Sequence, residues 1–441
     1  LGRTFVQEDT GMRIGRVDVE NFRALRKTSL TFSSTTALIG ENNSGKSAFL
    51  IALDLFFSNA PRVSQKDFSD DNVKEPINIT VHFINLTPYD RGEFESNLLD
   101  GELVVTRSLT LGNSSESGRY FVSAMVNPEF SECRNEEGKT EKRRLYAALR
   151  EKYGNPKELP KERNADEIDG YLEAWETVHP EALKLEKVAG FKGWKNVAVG
   201  KLKEKTDYIF IRAVQDAKED IQESKSSPVK TLINTIARQT IENNAAFQEF
   251  MKEANSKISD FTNPENVPAL ADISGALTTI LSGYYKDSEI IATWTPIESI
   301  QPSFPMSEIE IQDNQFITTI DGVGHGLQRA VILTVLQFMA ERRARSTESG
   351  EKFGEAQSDI IVAIEEPEIY QHPVKQRLFA KVLNKVAREF NRETGIRIQT
   401  IYVTHSPLLV SLPNSHQIRL IRYKGTIRLT YQPTSARVVA S

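Results

Sequence analysis

From Met12 onward, short apolar runs alternate with polar breaks, and the spacing within each run separates strands from helices. Ile14, Val17 and Val19 sit among polar neighbours between Arg13 and Glu20, and residues 29–32 and 36–39 are short β-prone runs that read as strands. Phe49, Leu50, Leu53, Phe56 and Phe57 recur at helical spacing and predict a helix over 48–57. Further strands are expected over 77–83, 103–110 and 120–126, as an antiparallel sheet. From about residue 131 the pattern changes: 131–168 is heavily charged, 143–153 reads as exposed helix, and 160–205 yields no clear element. Residues 207–214 are β-prone, while 229–258 and 269–285 have helical periodicity. Strand patterns return over 290–294, 309–311 and 316–320, followed by a glycine-rich run and an amphipathic helix to about 343. A polar loop over 346–357, an apolar strand over 360–364, a helix over 373–391, a strand over 400–403 and a strand-like stretch over 417–431 complete the pattern.

This gives a tail (1–11), an N-terminal lobe (12–127), a largely helical insert (128–288) and a C-terminal lobe (289–441). No internal repeat of solenoid period is present in the sequence. The insert, being charged and helical, is expected to be a solvated arm or a dimerisation element rather than a catalytic centre.

Composition narrows the class. At 441 residues the chain exceeds a single compact core, and 39% hydrophobic with 26% charged residues is ordinary for a globular protein. Lys and Arg total 55 against 60 Asp and Glu, a formal net charge of −5, so any DNA contact needs a local basic patch. Cys133 is the only cysteine, which excludes an internal disulfide and a cysteine-based metal site. Without a signal-peptide pattern or an apolar run of membrane-spanning length, a soluble, cytoplasmic protein without a membrane partner is expected.

The chemistry concentrates at strand ends. Gly40-Glu41-Asn42-Asn43-Ser44-Gly45-Lys46-Ser47 fits G-x-x-x-x-G-K-[ST] in full, after one predicted strand and before a helix. In that context the backbone N–H groups of the loop and helix start cradle a polyphosphate. Gly45 admits close approach, Lys46 reaches the β- and γ-phosphates, and Ser47 ligates Mg²⁺. The plain alternative is a Gly/Asn-rich turn with an exposed Lys. The apolar strand over 360–364 ends in Glu365-Glu366-Pro367-Glu368, and ligands of a parallel sheet sit at such carboxyl ends. Glu365 is expected to hold the hydration shell of Mg²⁺, as the acid of a Walker B strand, and Glu366 to orient or deprotonate the attacking water. An acidic pair merely ending a buried strand is the competing reading.

Thr404-His405-Ser406-Pro407 places His405 just past another strand, where its imidazole can donate to a γ-phosphate and help hold the water. His372 is expected to stabilise a turn and is not assigned to catalysis. Gly322, Gly324 and Gly326, with Gln328 and Arg329, open a helix whose free N–H groups favour an anion. Because the phosphate loop already serves this chain's nucleotide, Gly324, Gly326, Gln328 and Arg329 are expected to contact the ATP of another subunit. A flexible loop with a helix cap is the alternative.

Phosphate loop, glycine-rich signature, strand with a Glu pair, then His, in that order, resembles an ABC-type ATPase head of the RecF/SMC-like branch. The Asn21-Phe22-Arg23 opening, Gly324-His325-Gly326-Leu327-Gln328-Arg329, Glu365-Glu366-Pro367-Glu368 and Thr404-His405-Ser406-Pro407 are most similar to the overcoming-lysogenisation-defect (OLD) family ATPases of anti-phage defence. The first acid is usually Asp in such ATPases and is Glu365 here. The resemblance spans about 12–127 and 289–432. It implies an α/β fold, a mixed sheet with a phosphate-loop core plus an antiparallel β subdomain and the helical insert. It also implies ATP and Mg²⁺ as ligands, and heads joined head to tail in a homodimer or higher homo-oligomer. The family's Q-loop is not located by any local pattern, although Gln65 lies in a plausible region.

OLD nucleases continue into a Toprim nuclease domain, and no D-x-D occurs in this sequence. The expectation is therefore an ATPase acting as sensor or scaffold in defence, without nuclease activity of its own. Its effector would be a Toprim-type nuclease or toxin subunit, or a missing C-terminal domain, and its trigger DNA or a phage protein. The alternative is a DNA-repair or chromosome-maintenance ATPase that clamps DNA, although long heptad arms are lacking. A transporter subunit is disfavoured by the lack of an L-S-G-G-Q signature.

Overall fold

The computed structural model describes residues 12–58, 60–94, 98–112, 118–136, 138–153, 157–162, 164–189, 202, 206–213, 228–242, 244–262, 268–285, 290, 304, 308–313, 316–324, 326–332, 334–336, 338, 359–369, 371–389, 397–410, 412–424 and 427–431. The expected tail, the strand over 290–294 beyond Ile290, and the loop over 346–357 lie outside them.

Strands β1 (Arg13–Phe22) and β2 (Leu25–Thr31) form a hairpin, and β3 (Thr35–Gly40) leads through the phosphate loop into helix α1 (Lys46–Phe57). Next come β4 (Ile77–Ile84), β5 (Leu98–Leu99), β6 (Glu102–Leu109), β7 (Arg119–Val126), β8 (Lys184–Ala189) and β9 (Thr206–Ile211). The C-terminal part adds β10 (Glu310–Asp313), β11 (Phe316–Thr319), β12 (Asp359–Glu365), β13 (Arg397–Val403), β14 (Ile418–Lys424) and β15 (Ile427–Tyr431).

Two sheets carry the architecture. One is antiparallel, in the order β2-β1-β4-β6-β7-β8 with β5 on β6. The other runs β15-β14-β3-β13-β12-β9 and is parallel except for the β14–β15 pair. The sequences explain the difference. In β4, Ile77, Ile79, Val81 and Phe83 are buried while the residues between them are half-exposed, the period-two pattern of a sheet with one covered face. In β12 every residue from Asp359 to Ile364 is buried, as a central parallel strand covered on both faces requires.

Helix α1 fills the space between the sheets. Phe49, Leu50, Leu53 and Phe56 are fully buried in one core with Val17, Val19, Ile79 and Val81 of the antiparallel sheet and Ile361, Ala363, Ile401 and Val403 of the parallel one. Arg107 on β6 donates from Nη1 to the carbonyls of Leu55, Phe56 and Ser58, satisfying the carboxyl end of α1. Gln399 on β13 accepts from Ile14 N (2.9 Å) and donates to Ile14 O (2.8 Å) and Ser33 O (3.0 Å), tying the sheets at β1. On the other face, Ile360, Val362, Ile364 and Tyr402 pack against Phe379, Leu383 and Val386 of the helix Pro373–Glu389 and against Val229, Leu232, Ile332 and Leu336.

The stretch over 128–288 is not wholly helical. Its segment Lys184–Ala189 pairs with β7, and Thr206–Ile211 is the edge strand beside β12 in the phosphate-loop sheet. The Tyr-Ile-Phe-Ile run of β9 supplies the apolar residues for that edge: Ile209 and Ile211 enter the core on one face, and Tyr208 packs on the other, where it donates to Leu50 O of α1 (2.8 Å). The helix expected over 229–258 is two, Pro228–Glu242 and Ala245–Thr262. Asn244 marks the break, its side-chain oxygen accepting from Ala246 N (3.0 Å) and Phe247 N (3.3 Å) as an N-cap. The helices Lys139–Tyr153 and Ile168–Val178 close a separate aromatic core of Phe130, Tyr146, Tyr153 and Trp175. Among the described residues, no helix is long and apolar enough to cross a membrane.

Candidate nucleotide site

Because β14, β3, β13, β12 and β9 are parallel, their carboxyl ends share one edge of the sheet. That edge gathers the phosphate loop after β3, Glu365 and Glu366 at the end of β12, and His405 just after β13. It is where an open parallel sheet offers a ligand crevice.

The loop begins at Gly40, whose φ is +148°. A Cβ there would lie 2.2 Å from the carbonyl oxygen of Ile421 on β14, so the strand pairing itself requires glycine. Asn43, at φ 60°, and Gly45, at φ 99°, continue the sharp turn, and Gly45 is the N-cap of α1. No side chain caps this helix start and no acid lies in its first turn, so its N–H groups face the loop with a positive helix end. Asn42 and Asn43 are exposed, Ser44 is buried and Ser47 is half-buried.

Lys46 is only 5% exposed, and its ammonium donates to the loop carbonyls of Gly40 (3.0 Å) and Glu41 (2.6 Å). Burial pushes its pKa below the usual lysine range, against the pull of the Glu366 and Glu41 carboxylates.

Glu366 is a non-glycine residue at φ 45°, a conformation held only where its surroundings over-determine it. Its N–H donates to Val403 O (2.9 Å), extending the β12–β13 pairing, while its carbonyl accepts from Arg329 Nη1 (2.9 Å). Its carboxylate Oε1 lies 3.9 Å from His405 Nε2. Glu365 points elsewhere: its Oε2 accepts from Ala213 N, just beyond β9, at 3.3 Å.

The glycine-rich run is placed less simply. Helix hydrogen bonding starts with Leu327 N and Gln328 N donating to Gly324 O (2.9 and 3.2 Å); Gly324 is exposed and Gly326 half-buried. The expectation that Gln328 and Arg329 face a second nucleotide differs from where their side chains lie, since both are turned into their own head. Gln328 donates to Ile320 O and Val323 O, each at 3.1 Å. Arg329, 4% exposed, donates to Glu366 O, Ile369 O (2.8 Å) and Ala213 O (2.7 Å). Turn carbonyls at the ends of β9 and β12 need donors, and a buried guanidinium supplies several in one plane. Gln65 is exposed and opens a short turn in which Asp67 pairs with Arg23 (2.8 Å). Glu368, the last acid of the Glu-Glu-Pro-Glu run, accepts hydrogen bonds from Thr404 Oγ1 and His405 N.

A family model described as an AAA ATPase domain matches residues 12–410. The chain is 22% identical over 413 residues to the Old nuclease of Escherichia phage P2, an alignment covering 91% of this chain and 57% of that protein. It is 22% identical over 416 residues to the OLD nuclease of Thermus scotoductus, covering 92% of this chain and 61% of that protein. The chain therefore spans about three-fifths of the length of these relatives. Among solved structures, an Smc head domain with a coiled coil and joint derived from Pyrococcus yayanosii superposes with a TM-score of 0.36 at 12% identity, over 97% of this chain and 99% of that one.

Proposed function

Because the chain belongs to the AAA ATPase domain family, we propose that it binds ATP with Mg²⁺ at the edge of the parallel sheet and hydrolyses it there. The observation that carries this reading is the shared sheet edge, with the phosphate loop after β3, Glu366 just past β12 and His405 just past β13. There the Glu366 carboxylate lies 3.9 Å from the imidazole. A loop whose carbonyls already hold Lys46 at its mouth can pass that ammonium to β- and γ-phosphate oxygens, with the N-terminus of α1 stabilising the same charge. Glu366 then orients or deprotonates the attacking water, and His405 donates to the γ-phosphate. Among the described residues, no group of three or more His, Cys, Asp and Glu side chains is placed to hold a metal alone. That suits a Mg²⁺ shared with phosphates and water, for which Ser47 Oγ would be the protein ligand and Glu365 the acceptor for its hydration shell. The bound ion would neutralise the phosphate charge.

The same reading makes the ATPase the control element of a nuclease or toxin effector in anti-phage defence. Its support is the sequence kinship to two proteins called OLD nuclease, of which the chain spans 57% and 61%. The cleaving carboxylates would belong to a partner subunit or a further domain, because Glu365 and Glu366 are committed to ATP. Heads would pair so that the backbone at exposed Gly324 and half-buried Gly326 of one completes the site of another. The experiment is a Mg²⁺-dependent phosphate-release assay on the purified chain, paired with plasmid cleavage in Mg²⁺ or Mn²⁺. ATP turnover without cleavage supports the division of labour. Nicking that survives purification and disappears on changing a carboxylate outside the ATP site contradicts it.

A further inference from the structure

Thr404 N still donates to Leu38 O on β3 (3.1 Å), but His405 and Ser406 lie beyond the last paired residues of β12 and β13, so strand pairing does not fix their backbone. Their position comes from elsewhere. Glu368 Oε2 accepts from Thr404 Oγ1 (2.9 Å) while Oε1 accepts from His405 N (2.6 Å), so a single carboxylate spans both residues. Thr404 Oγ1 also accepts from Ser406 N (3.0 Å), and Ser406 Oγ donates to Gln376 Oε1 (2.6 Å). Gln376 returns to the first turn by donating from Nε2 to Gln371 O (2.9 Å).

We infer that Glu368 is the positioning residue that sets the His405 imidazole against the Glu366 carboxylate. The inference rests on the ATP-hydrolysis reading above, and it adds a residue that touches neither reacting group. Three features support it. The His405 ring is 41% exposed at its side chain, with Glu366 as its charged neighbour, so the ring goes where its backbone is held. A bond from a neutral N–H to a carboxylate is about twice as strong as one to a neutral oxygen. The base on which Glu368 stands is also fixed: Ile369 N donates to Glu366 O (3.1 Å), and Arg329 bonds the carbonyls on both sides, at Glu366 and Ile369. A third carboxylate so close to Glu365 and Glu366 adds like-charge repulsion. Two directed bonds to the His405 turn account for its presence where a neutral residue would avoid that cost.

The experiment compares Glu368→Gln, Glu368→Ala, His405→Ala and the double variant Glu368→Ala/His405→Ala in full-length protein. A misplacement of about 1 Å in a catalytic group costs roughly 10²-fold. Glu368→Ala should therefore lower kcat by about that factor with ATP affinity within about twofold of wild type, and Glu368→Gln, which keeps one acceptor oxygen, should fall between. The double variant should be no slower than His405→Ala, as expected of residues acting as one unit. Hydrogen exchange supplies a readout free of activity: the amides of His405 and Ser406 should exchange faster in Glu368→Ala, while those of Thr404, β12 and β13 stay protected. Multiplying kcat losses, loss of ATP binding, or unchanged exchange at His405 and Ser406 in a folded variant would each overturn the assignment. Absence of ATP turnover in the wild type would instead defeat the hydrolysis reading, and the exchange result alone would then decide whether Glu368 holds the turn.

Discussion

Arg329 Nη1 donates to the carbonyl oxygen of Glu366 at 2.9 Å, so the helix that opens at Gly326 is bonded to the backbone of the residue whose carboxylate faces His405. The same guanidinium holds Ile369 O and Ala213 O. Glycine-rich run, acidic turn and the end of β9 are thereby one bonded unit.

Replacing Arg329 tests that unit. Hydrogen bonds to a charged group contribute about 1.5–3 kcal/mol each, and the carbonyls left behind are at turn ends beside the core. Arg329→Ala should lose about 3 kcal/mol or more in denaturant unfolding and release Glu366 from its left-handed backbone. Arg329→Lys, which keeps the charge but not the planar fork, should recover only part of the loss. A fully stable Arg329→Ala protein with unaltered ATP turnover would show that the bonded unit is dispensable.

Gly40 gives a steric test. A methyl group there would meet Ile421 O at 2.2 Å, on a backbone at φ +148°. The prediction for Gly40→Ala is a loss of more than about 2 kcal/mol, from strain combined with disrupted β3–β14 pairing. Nucleotide binding should weaken as well, because the loop starts at that residue. Calorimetric ATP titration alongside thermal melting checks both, and unchanged values in both would contradict the close packing of β14 against the loop.

Pairing of heads has its own test. Gly326→Asp introduces an anion at a helix start proposed to meet another head's nucleotide, and Lys46→Ala removes the phosphate-loop cation. Each variant alone should be inactive. Their mixture should regain part of the wild-type turnover, since one composite site in the mixed dimer keeps both intact elements. A mixture as inactive as each parent, at concentrations where mixed dimers are shown to form, would exclude shared sites.

Much of this arrangement was legible in the sequence, for local reasons. The phosphate loop is contiguous from Gly40 to Ser47, and the burial of β12 on both faces is written in its uninterrupted Ile360–Ile364 run. The helical break at Asn244 was not legible, because a capping Asn and a surface Asn look alike in a polar stretch. The β-prone run over 207–214 holds most of the strand Thr206–Ile211, but the place of that strand beside β12 depends on pairing with residues more than 150 positions away. Arg329 in a glycine-rich helix start resembled an anion contact; only the fold brings the carbonyls of Ala213 and Ile369 to it. Glu368 had a motif but no role until β12 and β13 lay side by side.

The central claim is that Lys46 holds the nucleotide while Glu366 serves only its hydrolysis, and one paired measurement addresses it most directly. ATP binding and Mg²⁺-dependent phosphate release are measured on Lys46→Ala and Glu366→Gln, with wild type in Mg²⁺ and in EDTA as references. The account predicts that Lys46→Ala binds no ATP, that Glu366→Gln binds ATP as tightly as wild type yet releases phosphate at least about 10²-fold more slowly, and that EDTA abolishes turnover in the wild type. Equal loss of ATP binding in the two variants would contradict it.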